Sequence, residues 1–189
     1  PIAFDIVKDF PVHRKASLNY LLTLKYLVRS YPSADAYLVL EDDVIFHPES
    51  ALIIWKILQE VKNLEYFLVD GYVKGPMRPI EDERLFEASN PITWNNSNLV
   101  EEFHGDARCC SQSFLLSPAA AQISIPLIEM SLNGTAEYFP LDVYLSSQLL
   151  KLPDFHFFFP RKCWVQHVGY PVLGLGIFHR GCSRMTFDN

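Results

Sequence analysis

The chain reads as an α/β domain, a mixed and mostly parallel sheet flanked by helices. Three observations predict it. Short runs rich in β-branched and aromatic residues alternate with segments of helical apolar spacing through much of the sequence, the pattern of strands joined by crossover helices. One run, AYLVL at residues 36–40, is continuously apolar, as in a central strand covered on both faces. And 189 residues, 49% hydrophobic and 20% charged, suit one domain with a real core.

The elements follow in order. IAFDIV (residues 2–7) has the content of a strand. RKASLNYLLTLKYLVRS (14–30) is a helix, with Leu18, Leu21, Leu22 and Val28 on one side, Leu24 and Leu27 widening the stripe, and Tyr31-Pro32 ending it. AYLVL is the strand named above. PESALIIWKILQEVKNL (48–64) is an amphipathic helix with Ile54, Ile57, Leu58 and Val61 at helical spacing. EYFLVDG is a short apolar strand ending in an acid and a glycine. From residue 74 to 102 periodicity fades, and a stretch this long in a compact domain is usually functional or mobile. QSFLLSPAAAQI supplies a strand, then Ser117 as N-cap and Pro118 as first helical residue. PLDVYLSSQLL repeats the device with Pro140, FHFFF and WVQHV are further strands, and residues 169–189 are loop-like. There is no internal repeat.

Charge and composition exclude several classes. A net charge of −6 and a pI of about 5.5 disfavour a broad nucleic-acid surface. No apolar run reaches the roughly 18 residues a membrane span needs. The start at Pro1 reads as an excised or processed piece. Cys109, Cys110, Cys163 and Cys182 lack zinc-site spacing; they are buried thiols, or one of the adjacent pair bonds Cys163 or Cys182 in an oxidising compartment. Sequons at Asn95 and Asn133 lean slightly towards the secretory pathway.

The informative stretch is YLVLEDDVIFHPES (37–50), where Glu41, Asp42 and Asp43 stand between two apolar runs. In an open α/β sheet, ligands sit outside the carboxyl ends of strands. Neighbouring carboxylates raise one another's pKa and destabilise the fold unless a cation offsets them, and hard oxygens suit Mg²⁺ or Mn²⁺. Strand alternation puts Glu41 and Asp43 on one side and Asp42 on the other. The bland reading is a solvated turn; apolar flanks on both sides weigh against it.

This stretch resembles the metal-binding motif of GT-A glycosyltransferases, a variant of their Asp-x-Asp signature. The helix before it resembles that of the N-acetylglucosaminyltransferase IV family, where a Lys and then Leu-Asp-Tyr lead to a Leu-Glu-Asp-Asp strand; Lys15 and Leu18-Asn19-Tyr20 take those places, with Asn19 replacing the acid. Enzymes that modify glycosylphosphatidylinositol anchors share the Glu-Asp-Asp core, as do glycosyltransferases proposed to act on oxidised methylcytosine in DNA. FPLDVYLSSQLL resembles the family's Pro-Ile-Asp-x-x-Leu helix start and WVQHVG its Gln-His-Val-Gly strand end. The four blocks keep family order over residues 14–170. GT-A enzymes place a nucleotide-binding unit before this region, and residues 1–13 hold little of it, which implies one GT-A-like domain over 1–189 that is truncated or permuted at that unit.

The resemblance implies a metal-dependent transfer of a sugar, an N-acetylhexosamine, from a UDP-sugar to a hydroxyl of a glycan, glycolipid or glycoprotein, with inversion, in the Golgi or ER lumen. Asp43 carries the cation, Mn²⁺ or Mg²⁺, with Glu41 and His167 completing its shell. Glu41 and Asp42 touch ribose, sugar or the metal's waters, and Arg14 and Lys15 reach the donor phosphates. Asp142, where a helix N-terminus keeps a carboxylate ionised, is the general base, with Glu137 as the fallback; its bland role is a helix cap. His179 competes weakly with His167, and Trp94, Phe103 and His104 are candidate acceptor contacts. Other readings are a nucleic-acid base glycosyltransferase, a non-catalytic GT-A-like interaction domain and a metal-dependent phosphotransferase or nuclease.

Overall fold

The structure, a computed structural model, describes residues 12–41, 44–71, 99–105, 113–133, 141–161 and 164–167. Over these the chain runs α1 (Val12–Ser30), β1 (Tyr37–Leu40), β2 (Val44–Phe46), α2 (Ser50–Val61), β3 (Tyr66–Asp70), β4 (Val100–Glu102), β5 (Ser113–Leu116), α3 (Pro118–Leu132), α4 (Leu141–Leu149), β6 (Phe155–Pro160) and β7 (Val165–His167). The strand expected at residues 2–7 and the loop-like tail at 169–189 lie outside the described residues.

The class is mixed α/β. Five strands form an open sheet in the order β1-β5-β3-β6-β4, and β2 and β7 pair in a small second sheet. The expectation of a mostly parallel sheet is corrected: β3 and β6 pair in parallel, whereas β1–β5, β3–β5 and β4–β6 are antiparallel. The reason is the position of β5, which inserts between β1 and β3. Those two strands and β6 still share one direction, so their carboxyl ends meet at one edge.

A second correction concerns AYLVL. It forms the edge strand β1, with Tyr37 and Val39 buried and Leu38 and Leu40 half-buried. The central strand is β3, where Phe67, Leu68, Val69 and Asp70 are all buried. A continuous apolar run marks a strand that suits two-sided burial, yet it does not say which such run lies in the middle. Each fully buried Phe, Leu or Val contributes about 1.5–3 kcal/mol over exposure, so β3 and its neighbour β6 supply much of the core.

The helices follow the sequence pattern closely. In α1 the most buried apolar residues are Leu21 and Leu24, with Leu18, Leu22, Leu27 and Val28 half-buried around them. In α2 the inward stripe is Ile53, Ile57 and Val61, at the spacing that puts side chains on one face. Ser117 caps α3 as expected: its Oγ accepts the Ala120 N–H at 3.1 Å, with Pro118 opening the helix. The same Oγ accepts the Phe67 N–H at 3.3 Å, and the Ser117 N–H donates to the Phe67 carbonyl at 3.0 Å. The cap therefore also fastens α3 to the central strand.

The small sheet is tied to the large one by Trp164. This indole is completely buried, and its Nε1–H donates to Ser113 Oγ at 2.6 Å at the start of β5. Its ring lies so close over Gly71, the residue after β3, that a Cβ there would overlap it. The Trp164 carbonyl accepts the His47 N–H at 2.9 Å, just after β2. Gly71→Ala should therefore cost about 1–3 kcal/mol by overpacking, read as a lower urea midpoint at unchanged m-value. An unchanged midpoint would show that the indole is not seated there.

Candidate functional site

The carboxyl ends of β1, β3 and β6 bring three chain segments to one edge of the large sheet. Leu40 pairs with Ser113, Asp70 with Phe114, and Pro160 with Val100. Register partners share a face, and faces alternate along each strand. Val39, Phe114 and Asp70 thus lie on one face, and Leu40 and Ser113 on the other. Glu41, one residue past β1, is half-buried and in phase with Val39.

Helix α1 covers that first face. A short turn follows Ser30, held where Tyr37 Oη donates to the Tyr31 carbonyl at 2.9 Å, so the helix runs back along β1 towards the strand's carboxyl end. Tyr20 packs edge-on against Phe114, with ring centroids 6.3 Å apart and planes at 86°. Its hydroxyl oxygen is sealed from solvent and has no hydrogen-bond partner among the described residues. Burial, then the charge of Asp70, then that of Glu41 push the phenol's ionisation above its ordinary value. Tyr20 thus keeps its proton, and a phenol and two carboxylates occupy one corner.

Several expected site residues sit at or near this corner. Arg14 and Lys15 are half-buried in the first turns of α1. They precede Tyr20 by roughly 7–9 Å along the helix axis at 1.5 Å per residue. His167 closes β7, where its backbone pairs with Val44, the residue that follows Asp43 in the chain. Asp42, Asp43 and Glu137 lie outside the described residues, as do His179, Trp94 and all four cysteines.

Asp142 stands on a separate element, half-buried in the first turn of α4, with Oδ1 accepting the Val143 N–H at 2.9 Å. That contact satisfies one of the N–H groups left unpaired in a helix's first turn. Phe103 is half-buried and packs against Phe157 and Phe159, at centroid distances of 5.7 and 5.4 Å. His104 is exposed.

Two residues of the corner were not among the expected site residues. Asp70 is completely buried, and its signal was present: YFLVD, like YLVLE, is an apolar strand that ends in an acid. Tyr20 carried no such signal, because one tyrosine in an apolar helix reads as core. Among the described residues no three His, Cys, Asp or Glu side chains are gathered closely enough to hold a metal ion. No described helix is long and apolar enough to cross a membrane. No family model matches the chain, and comparison with curated proteins finds no match.

The buried phenol makes stability depend on pH. The unfolded chain ionises Tyr20 near pH 10, while the folded chain holds the proton to higher pH. The contribution is complete below pH 10 and is lost as pH rises through the folded value. From this group alone the wild type should lose up to about 1.4 kcal/mol per pH unit above pH 10. Tyr20→Phe should lack that increment in urea unfolding between pH 9 and 11. Identical slopes would show that the phenol is not held protonated.

Proposed function

We propose that the chain is a metal-dependent glycosyltransferase of GT-A type, moving an N-acetylhexosamine from a UDP-sugar to a glycan, glycolipid or glycoprotein hydroxyl. The observation that carries this reading is the pairing of Val44 with His167. It brings the segment just after the acidic triplet beside the WVQHVG block, two motifs distant in sequence that the resemblance assigns to one metal shell. The shared carboxyl edge of β1, β3 and β6 supports it further, since open α/β sheets bind ligands there.

The residue types suit a hard divalent cation. Glu41 is a half-buried carboxylate one residue past β1, and Asp43 adds another by sequence, the ligand chemistry that Mn²⁺ and Mg²⁺ prefer. In this reading Asp43, Glu41 and His167 hold the ion. When bound, such an ion offsets the charge on a departing diphosphate. Arg14 and Lys15, in the first turns of α1, draw in and orient the donor's phosphates. Asp42 and Glu41 accept from donor hydroxyls. Asp142, in the first turn of α4, takes the proton from the acceptor hydroxyl as it attacks, worth about 10²–10⁴ in rate. Glu137 is the alternative base.

The test is donor screening. Incubation with individual UDP-sugars and Mn²⁺ should give slow release of UDP, and chelation should stop it. Asp43→Ala should lower that rate to below about a hundredth of wild type, with the urea midpoint showing the variant folded. A rate untouched by Asp43→Ala removes the site assignment, and salt-sensitive DNA binding without UDP binding would favour the nucleic-acid reading instead.

A further inference from the structure

Asn133 closes α3 and opens the sequence Asn133-Gly134-Thr135, a sequon. An N-linked glycan is bulky and polar, so a folded chain accommodates it only where the asparagine carboxamide stands at the surface. The place of Asn133 in the fold therefore decides whether the sequon is a chance match or a site.

The side chain of Asn133 is exposed, and among the described residues its carboxamide has no hydrogen-bond partner. Asparagine at the end of a helix often turns that amide back onto nearby backbone. Here the backbone makes the cap without it, the Asn133 N–H donating to the Glu129 carbonyl at 3.0 Å. The helix itself stops at Leu132, so a substituent on the Asn133 amide nitrogen displaces neither core packing nor a helical hydrogen bond. Met130, three residues back and so on the same side of the helix, is 48% exposed. Open surface thus continues beside the amide.

We propose that Asn133 is an N-glycosylation site, modified as the chain enters the ER lumen; this rests on the lumenal location of the proposed enzyme. The co-reactant is an oligosaccharide carried on a lipid diphosphate. Asn133 Nδ2 bonds to the anomeric carbon of the first sugar while that carbon's bond to the diphosphate oxygen breaks. The lipid diphosphate leaves with the electron pair, and one amide proton passes to a base of the modifying enzyme. The product is a polar cover beside Met130.

The test has two arms. Protein from its own cells is digested with peptide N-glycosidase in heavy-oxygen water, and its peptides are mapped. That enzyme converts a glycosylated asparagine into an aspartate bearing the heavy oxygen, whereas spontaneous loss of ammonia before digestion leaves ordinary oxygen. Heavy aspartate at position 133 is expected; only asparagine or unlabelled aspartate there overturns the proposal. In the second arm the full chain is directed to the ER of cultured eukaryotic cells by a cleavable signal sequence, as wild type, Asn133→Gln, Thr135→Ala and Thr135→Ser. Wild type and Thr135→Ser should show one glycosidase-sensitive mobility step more than Asn133→Gln and Thr135→Ala, with the Asn95 sequon intact in all four. Lysate is read as well as medium, so a variant that is not secreted is still scored. Equal mobility of all four overturns Asn133 as an acceptor. The expected ladder beside an unlabelled native residue overturns the proposal through the lumenal location instead. Release of UDP from UDP-sugars is scored separately, so failure here and failure of the glycosyltransferase reading are told apart.

Discussion

The contact between Trp164 and the large sheet is the constraint on which the site depends. The indole spans from Ser113, at the start of β5, to Gly71, at the end of β3, and its backbone carbonyl holds His47 after β2. Those three attachments fix the small β2–β7 ladder against the edge where the parallel-running strands end. The bond to Ser113 also settles an energetic problem. An indole N–H and a serine hydroxyl, each buried alone, would be costly, and together they satisfy one another.

The edge itself concentrates negative charge where burial makes charge expensive. Asp70 is shut away from water and Glu41 half so, and Tyr20 responds by holding its proton more tightly. In α3, Ser117, buried at a helix start, is bonded by Ala120 and Phe67.

Much of the architecture was legible in local sequence, for identifiable reasons. Ser117-Pro118 announced a helix start because a short oxygen-bearing side chain and a residue lacking an N–H both suit the unpaired first turn. Ile57, Leu58 and Val61 recurred at the helical period. YFLVD and FHFFF had the length and content of strands. By contrast, β2 and β4 each span three residues, too short for any period to register. Glu41 was legible as a strand-end acid, and Asp70 could have been read by the same rule.

Sequence by itself determined the four helices and the strands β1, β3, β5, β6 and β7, where α3 begins, and that acids close two apolar strands; these are properties of neighbouring residues and their backbone preferences. Only the tertiary structure decided strand order and direction, the descent of AYLVL from centre to edge, and the meeting of Tyr20 with Glu41 and Asp70. It also decided the pairing of Val44 with His167. The reason is physical. Local preference acts over a few residues, whereas pairing and burial are contests among distant segments, settled by which contacts coexist in one packed core.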